Sequence, residues 1–140
     1  MAWYTVNYKC GHTGEVQIYG KESERPGKAK WIGEHSMCPE CEDAAKRDKA
    51  ARAKEAGEIT EGTYKQIAWA SDIREGMLRA IDEAEVAPGK AERVRALVRE
   101  WASSHTDARW YIDHREQLKS LRSVSLLIPA DVQREMMAAE

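Results

Sequence analysis

Cys10-Gly11-His12, answered further along by Cys38-Pro39-Glu40-Cys41, contains every cysteine of the chain. A Cys-x-x-Cys step puts two thiolates on one tight turn, where both reach a single ion, and Cys10 with His12 supplies the other two corners of a tetrahedron. Soft thiolates with one imidazole suit Zn²⁺, and four protein ligands leave no open position for a water nucleophile. The spacing therefore predicts a structural zinc site of Cys10, His12, Cys38 and Cys41 that organises the first third of the chain. His35, just before Cys38, is the alternative to His12 as fourth ligand; His12 is preferred because its glycine-bounded turn faces the second knuckle. The same pattern is also that of a Rieske pair with one His exchanged for Cys, so a [2Fe–2S] cluster is the minor alternative.

Working outward, Trp3 to Lys9 alternates, with Tyr4, Val6 and Tyr8 on one face, and reads as a strand. Val16 and Ile18 belong to a returning strand. Gly11 and Gly14 then permit the tight turn, and the first ligand pair sits at the tip of a hairpin. Between the ligand pairs, Trp31, Ile32 and His35 share a helical face, while Pro26-Gly27 is expected to cut any helix short at its front.

From Cys38 a long helix runs to about Ala56. Pro39 suits its first turn, and Glu40, Glu42 and Asp43 suit the positive end of its dipole. Alanine is its only apolar residue beyond that start, so it is expected to bury little and to act as spacer or contact surface. Gly57 to Gly62 reads as a boundary or hinge. Thr63-Tyr64-Lys65-Gln66 is a capping box. Ile67, Ala70, Ile73, Met77, Ile81 and Ala84 follow it at helical spacing, a strong amphipathic signal. Pro88-Gly89 ends that helix, and Ala91, Val94, Leu97, Val98 and Trp101 define the next. Thr106 or Asp107 caps another, with Tyr111, Leu118 and Leu121 inward. Ser123 to Ile128 reads as a short strand or a loop, and Pro129 starts a last short helix to Met137. The fold class expected is α+β: a zinc ribbon with a long helix over 1–56, then a helical bundle over 63–140.

Cys10-Gly11-His12-Thr13-Gly14, Cys38-Pro39-Glu40-Cys41 and Lys65-Gln66-Ile67-Ala68-Trp69-Ala70 together resemble landmarks of small zinc-ribbon proteins from phages and mobile elements. In that group a segment similar to Trp110-Tyr111-Ile112-Asp113 with Arg115 follows on a later helix. The resemblance implies a zinc-bound N-terminal module and a helical tail, and it supplies no reaction. It also implies a helix where Pro26-Gly27 stands.

Composition bounds the rest. A net charge of -2 argues against a general polyanion binder and leaves room for a local basic patch. Lys46, Arg47, Lys49, Arg52 and Lys54 form such a run, the candidate contact for phosphate or for an acidic partner, although helical spacing spreads them around the circumference. Trp69, Arg74, Trp110, Asp113, His114 and Arg115 form a second cluster. Adjacent Asp113 and His114 point about 100° apart on a helix, so they make no acid–base pair, and large aromatics at such spacing are usually core. No nucleophile motif or phosphate-cradling loop occurs, so no enzymatic activity is expected. No apolar run has membrane-spanning length and the start carries no export signal, which together with an odd number of cysteines suits a reducing, cytoplasmic setting. The expected function is a non-catalytic binding module. Its partner is expected to be a protein or a nucleic acid, and the resemblance tilts the choice toward an adaptor or inhibitor of a host protein, for example in anti-defence. A nucleic-acid-binding regulator using 46–54 is the alternative from another class, and an uncharacterised enzyme stands third.

Overall fold

The computed structural model describes residues 2–138. It is an α+β chain, a two-stranded antiparallel hairpin followed by mostly helical segments. Two compact units divide it, Met1–Lys46 and Arg47–Glu140.

In the first unit β1 (Ala2–Asn7) pairs with β2 (Thr13–Ile18), with Tyr4 opposite Val16 and Val6 opposite Gly14. The expected alternation holds: Val6 and Ile18 are buried, with Tyr4, Tyr8 and Val16 packed beside them. Gly11 takes φ +89 in the turn, a region open to it for want of a Cβ. Gly14 plays a different part from the one expected. It lies in β2, and a Cβ there would stand 3.0 Å from the Tyr8 ring.

Pro26-Gly27 does not cut the following helix short. The helix α1 (Arg25–His35) carries Pro26 in its first turn, where a missing N–H costs nothing. Its inward face is Ala29, Ile32 and Gly33. At Gly33 the fit is tight, since a Cβ would lie 2.5 Å from the Asn7 carbonyl oxygen. Trp31 and His35 share an outer face and stack on each other with ring centroids 4.4 Å apart.

The helix α2 (Pro39–Glu55) begins at the second ligand turn, and the division between the units falls within it. Contrary to expectation, it contributes to a core. Ala50 and Ala53 are buried in the cluster that also holds Ile59, Ile67, Ala70, Met77, Ile81 and Tyr111. Alanine buries little area but permits close approach, so a face of alanines packs where a longer side chain would not. Nor is 57–62 a free hinge: the Thr60 amide donates to the Thr106 carbonyl at 2.9 Å, and the Ala108 amide to Glu61 at 3.0 Å.

The helix α3 (Tyr64–Glu83) starts with the capping box read from the sequence. Thr63 Oγ1 accepts from the Gln66 amide at 3.2 Å, and Gln66 Oε1 accepts from the Thr63 amide at 3.0 Å. It packs against α4 (Lys90–Ser103) and α5 (Ala108–Asp113), the latter capped by Asp107. The stretch expected as a strand or loop after Ser123 is partly helical. The short helix α6 (Leu121–Ser125) is started by Ser120, whose side chain accepts from the Ser123 amide, and it packs on α4. A local serine cap settled it, and no hydrophobic periodicity announces a helix of five residues. Last comes α7 (Ala130–Ala138), close to where Pro129 placed it.

Candidate metal centre

Two backbone devices converge in the first unit. The hairpin turn presents Cys10 and His12, held by the Tyr8 amide donating to the His12 carbonyl at 2.9 Å and the Gly11 amide donating to Tyr8 at 3.0 Å. The start of α2 presents Cys38 and Cys41. A backbone bond from the Lys9 amide to the Ser36 carbonyl, at 3.1 Å, ties one approach to the other. All four ligand atoms lie within 4.8 Å of one another, an arrangement compatible with a metal site.

The distances are specific. His12 Nδ1 stands 3.5 Å from Cys10 Sγ, 3.5 Å from Cys38 Sγ and 3.2 Å from Cys41 Sγ. Around a four-coordinate ion with thiolate bonds of about 2.3 Å and an imidazole bond of about 2.0–2.1 Å, a tetrahedral S···N edge is about 3.5 Å. The donor set therefore fits an ion at its centre. His35 is not part of it, as its Nδ1 lies 2.8 Å from the Trp31 carbonyl oxygen and its ring is taken up by Trp31.

Backbone N–H groups surround the sulfurs as well. The Cys38 amide donates to Cys10 Sγ and the Cys41 amide to Cys38 Sγ, both at 3.4 Å. The Cys38 amide, with the His12 amide second, draws the Cys10 thiol down to about 6. Cys41 is pushed the other way, to about 11, by sharing hydrogen bonds with Cys38, then by burial. Three sulfurs crowded on one point do not all ionise without a cation between them. Nothing in the residue types forecasts these amide donors. They follow from the backbone path.

The run on α2 is largely committed within the chain. Lys49 reaches Asp72, and Glu75 at 3.5 Å. Lys46 pairs with Glu42 at 3.5 Å and Arg52 with Asp48 at 3.0 Å, each one helical turn away. Arg47 lies over the Tyr64 ring, 4.1 Å from its centroid. Of the five, only Lys54 shows no partner among the described residues.

The second cluster is not brought together at one site. Arg115 sits over the Trp69 ring at 5.4 Å, while Arg74 pairs with Glu58 at 3.6 Å. Trp110 instead stacks on His105 with centroids 3.6 Å apart, and Trp101 meets both edge-on. The sequence offers no signal for His105 beyond its spacing of four residues from Trp101. No helix among the described residues is long and apolar enough to cross a membrane. Comparison of the chain with protein-family models, curated proteins and solved structures returns no match.

Proposed function

We propose that the chain is a non-catalytic binding module whose first unit is held together by zinc and presents a surface to a protein partner. One observation carries the reading: a single imidazole nitrogen lies within reach of three thiol sulfurs, so four protein donors enclose one point. Thiolates with an imidazole in a tetrahedron suit Zn²⁺, and a complete protein shell supports a structural role. In a [2Fe–2S] cluster the ligands divide between two irons, an arrangement that a nitrogen close to all three sulfurs does not favour.

The same unit exposes large aromatics. Trp3, opposite Gln17 in the hairpin, and Tyr19, whose hydroxyl donates to Gln17 Oε1 at 3.1 Å, share its outer face. They are 65% and 63% exposed, and Trp31 on α1 is 59% exposed. Exposed aromatics of this kind are common anchors in protein interfaces. The cations of α2, by contrast, are mostly occupied by acids or by Tyr64, which weighs against phosphate contact. On the resemblance to zinc-ribbon proteins of phages and mobile elements, the partner is a host protein, with the module as adaptor or inhibitor in an anti-defence role in the cytoplasm.

Elemental analysis tests the first half, with stoichiometric zinc and little iron expected; iron with visible absorption would overturn the zinc assignment. For the second half, Trp3→Ala with Tyr19→Ala should keep the zinc and lose a partner captured by the wild type from host extract. Binding to generic duplex DNA that weakens steeply with salt would replace this reading with a nucleic-acid regulator.

A further inference from the structure

The second unit contains a groove of about 870 Å³, open to solvent, between the segment that follows α3, α4 from Lys90 to Val98, and α6 with Ser120 before it. Val86, Pro88, Ala91, Val94, Val98 and Leu121 make its apolar wall, and Val98 is 2% exposed at its floor. This is the size and the mostly apolar character of a small-molecule pocket. Its polar groups fall into two kinds. Ser120 and Ser125 are used internally, the first in capping α6 and the second in donating to the Arg122 carbonyl at 2.6 Å. Lys90, Arg122 and Glu85 also line the groove, and none of these charged side chains has a hydrogen-bond or ion-pair partner among the described residues.

We propose that this groove binds a small amphipathic monoanion, an alkyl carboxylate whose chain lies along Val94 and Leu121 and whose head is held by Lys90 and Arg122. The charge balance selects the head. Two cations against the single carboxylate of Glu85 leave one positive charge, which a monoanion neutralises and a dianion exceeds. Arg122 offers a planar fork suited to a carboxylate, and Lys90 a point charge. A minor contribution comes from α4, whose N-cap Gly89 makes no side-chain cap to its first amides. The apolar wall supplies affinity that grows with chain length. The groove's lining residues all belong to the second unit, and none is among Cys10, His12, Cys38 and Cys41.

The probe is a series of octanoate, decanoate and dodecanoate, each kept below its micelle concentration and titrated into the full-length, metal-loaded protein. Calorimetry supplies affinity, and methyl resonances of Val94, Val98 and Leu121 report the place. Saturable binding is expected, tightening by up to roughly fourfold per added methylene until the groove is full. Lys90→Gln with Arg122→Gln should weaken it roughly tenfold, since two charge-assisted contacts are lost. Both residues are exposed and unpaired, so that variant should keep its fold. Ala91→Phe should abolish binding by filling the groove. No saturable binding, or binding unchanged in the double variant, would overturn the proposal. So would indifference to all three carboxylates alongside binding of an acidic amphipathic peptide, which would make the groove a protein-docking site.

Discussion

At the residue scale, two glycines in helices invite opposite predictions. Gly33 of α1 faces the Asn7 carbonyl oxygen, where a Cβ would stand at 2.5 Å, and the neighbour is backbone that cannot swing aside. Gly33→Ala gains about 1 kcal/mol of helix propensity, but the overpacking should cost roughly 1–3 kcal/mol, so the first unit loses stability on balance. Faster hydrogen exchange in β1 and β2 would show it; unchanged exchange would mean that α1 shifts freely. Gly76 of α3 has nothing within 4 Å of the same virtual atom. Gly76→Ala should therefore stabilise by about 0.5–1 kcal/mol, read as a higher melting temperature. A third residue gives a pH signature. Burial, and then the charge of nearby His114, hold His105 below its ordinary value of 6.5. The folded state thus binds its proton less readily than the unfolded state, so stability is full above about 6.5 and declines as the pH falls through the lower folded value. Attraction between an imidazolium and the Trp110 face offsets part of that loss. Relative to the intrinsic rate at each pH, protection from hydrogen exchange at the end of α4 and in α5 should fall between pH 7 and 5, and His105→Gln should flatten the trend. At this scale the grouping of Cys10, His12, Cys38 and Cys41 was legible, because thiols and imidazole at knuckle spacing have few other uses. The choice of His12 over His35 became decisive only with Nδ1 beside three sulfurs.

Among the elements, α2 separates what composition tells from what packing decides. Its sequence offers only alanine for burial and many charges, yet Ala50 and Ala53 are 3% and 4% exposed. Lys49 is also fastened, its side chain 28% exposed between Asp72 and Glu75 of α3, and the hydrogen bond to Asp72 raises its ammonium above the ordinary range. Ala50→Leu should cost roughly 1–3 kcal/mol by overpacking. Lys49→Glu, which sets like charges together, should cost about 1 kcal/mol and more at low salt. A melting temperature indifferent to both changes would return α2 to the role of an exposed spacer. The elements most legible in the sequence were those with a period and a cap, α3 above all, whose box and apolar stripe agree. The ones misread lacked one or the other: α6 is too short for a period, α1 has little amphipathic pattern, and in α2 the buried residues are the smallest available.

For the whole molecule, the unequal cores of the two units decide how each should respond to loss of metal. The first unit spans Met1–Lys46, but its buried apolar cluster consists of Val6, Ile18 and Ala29, with Tyr4, Tyr8, Val16 and Ile32 partly covered. A domain this small cannot offset its chain entropy by so little burial, and the free energy of metal binding is what should complete its folding. The second unit buries Ile59, Ile67, Met77, Ile81 and Tyr111 among others, with the Tyr111 hydroxyl donating to the His105 carbonyl at 2.8 Å, and contains no part of the ligand set. A strong chelator, or Cys38→Ser, should therefore unfold the hairpin and α1 while α3 and α4 remain protected from hydrogen exchange. Truncation gives the complementary test. A fragment from Arg47 to Glu140 keeps Ala50, Ala53 and Ile59 and should melt cooperatively, with no response to chelator. A fragment starting at Glu61 loses those three buried residues and should be less stable by several kcal/mol, since removal of one large buried aliphatic side chain alone costs about 2–5 kcal/mol. Chelation that melted both units together would withdraw the assignment of metal to the first core alone, and equal stability of the two fragments would withdraw that of α2 to the second.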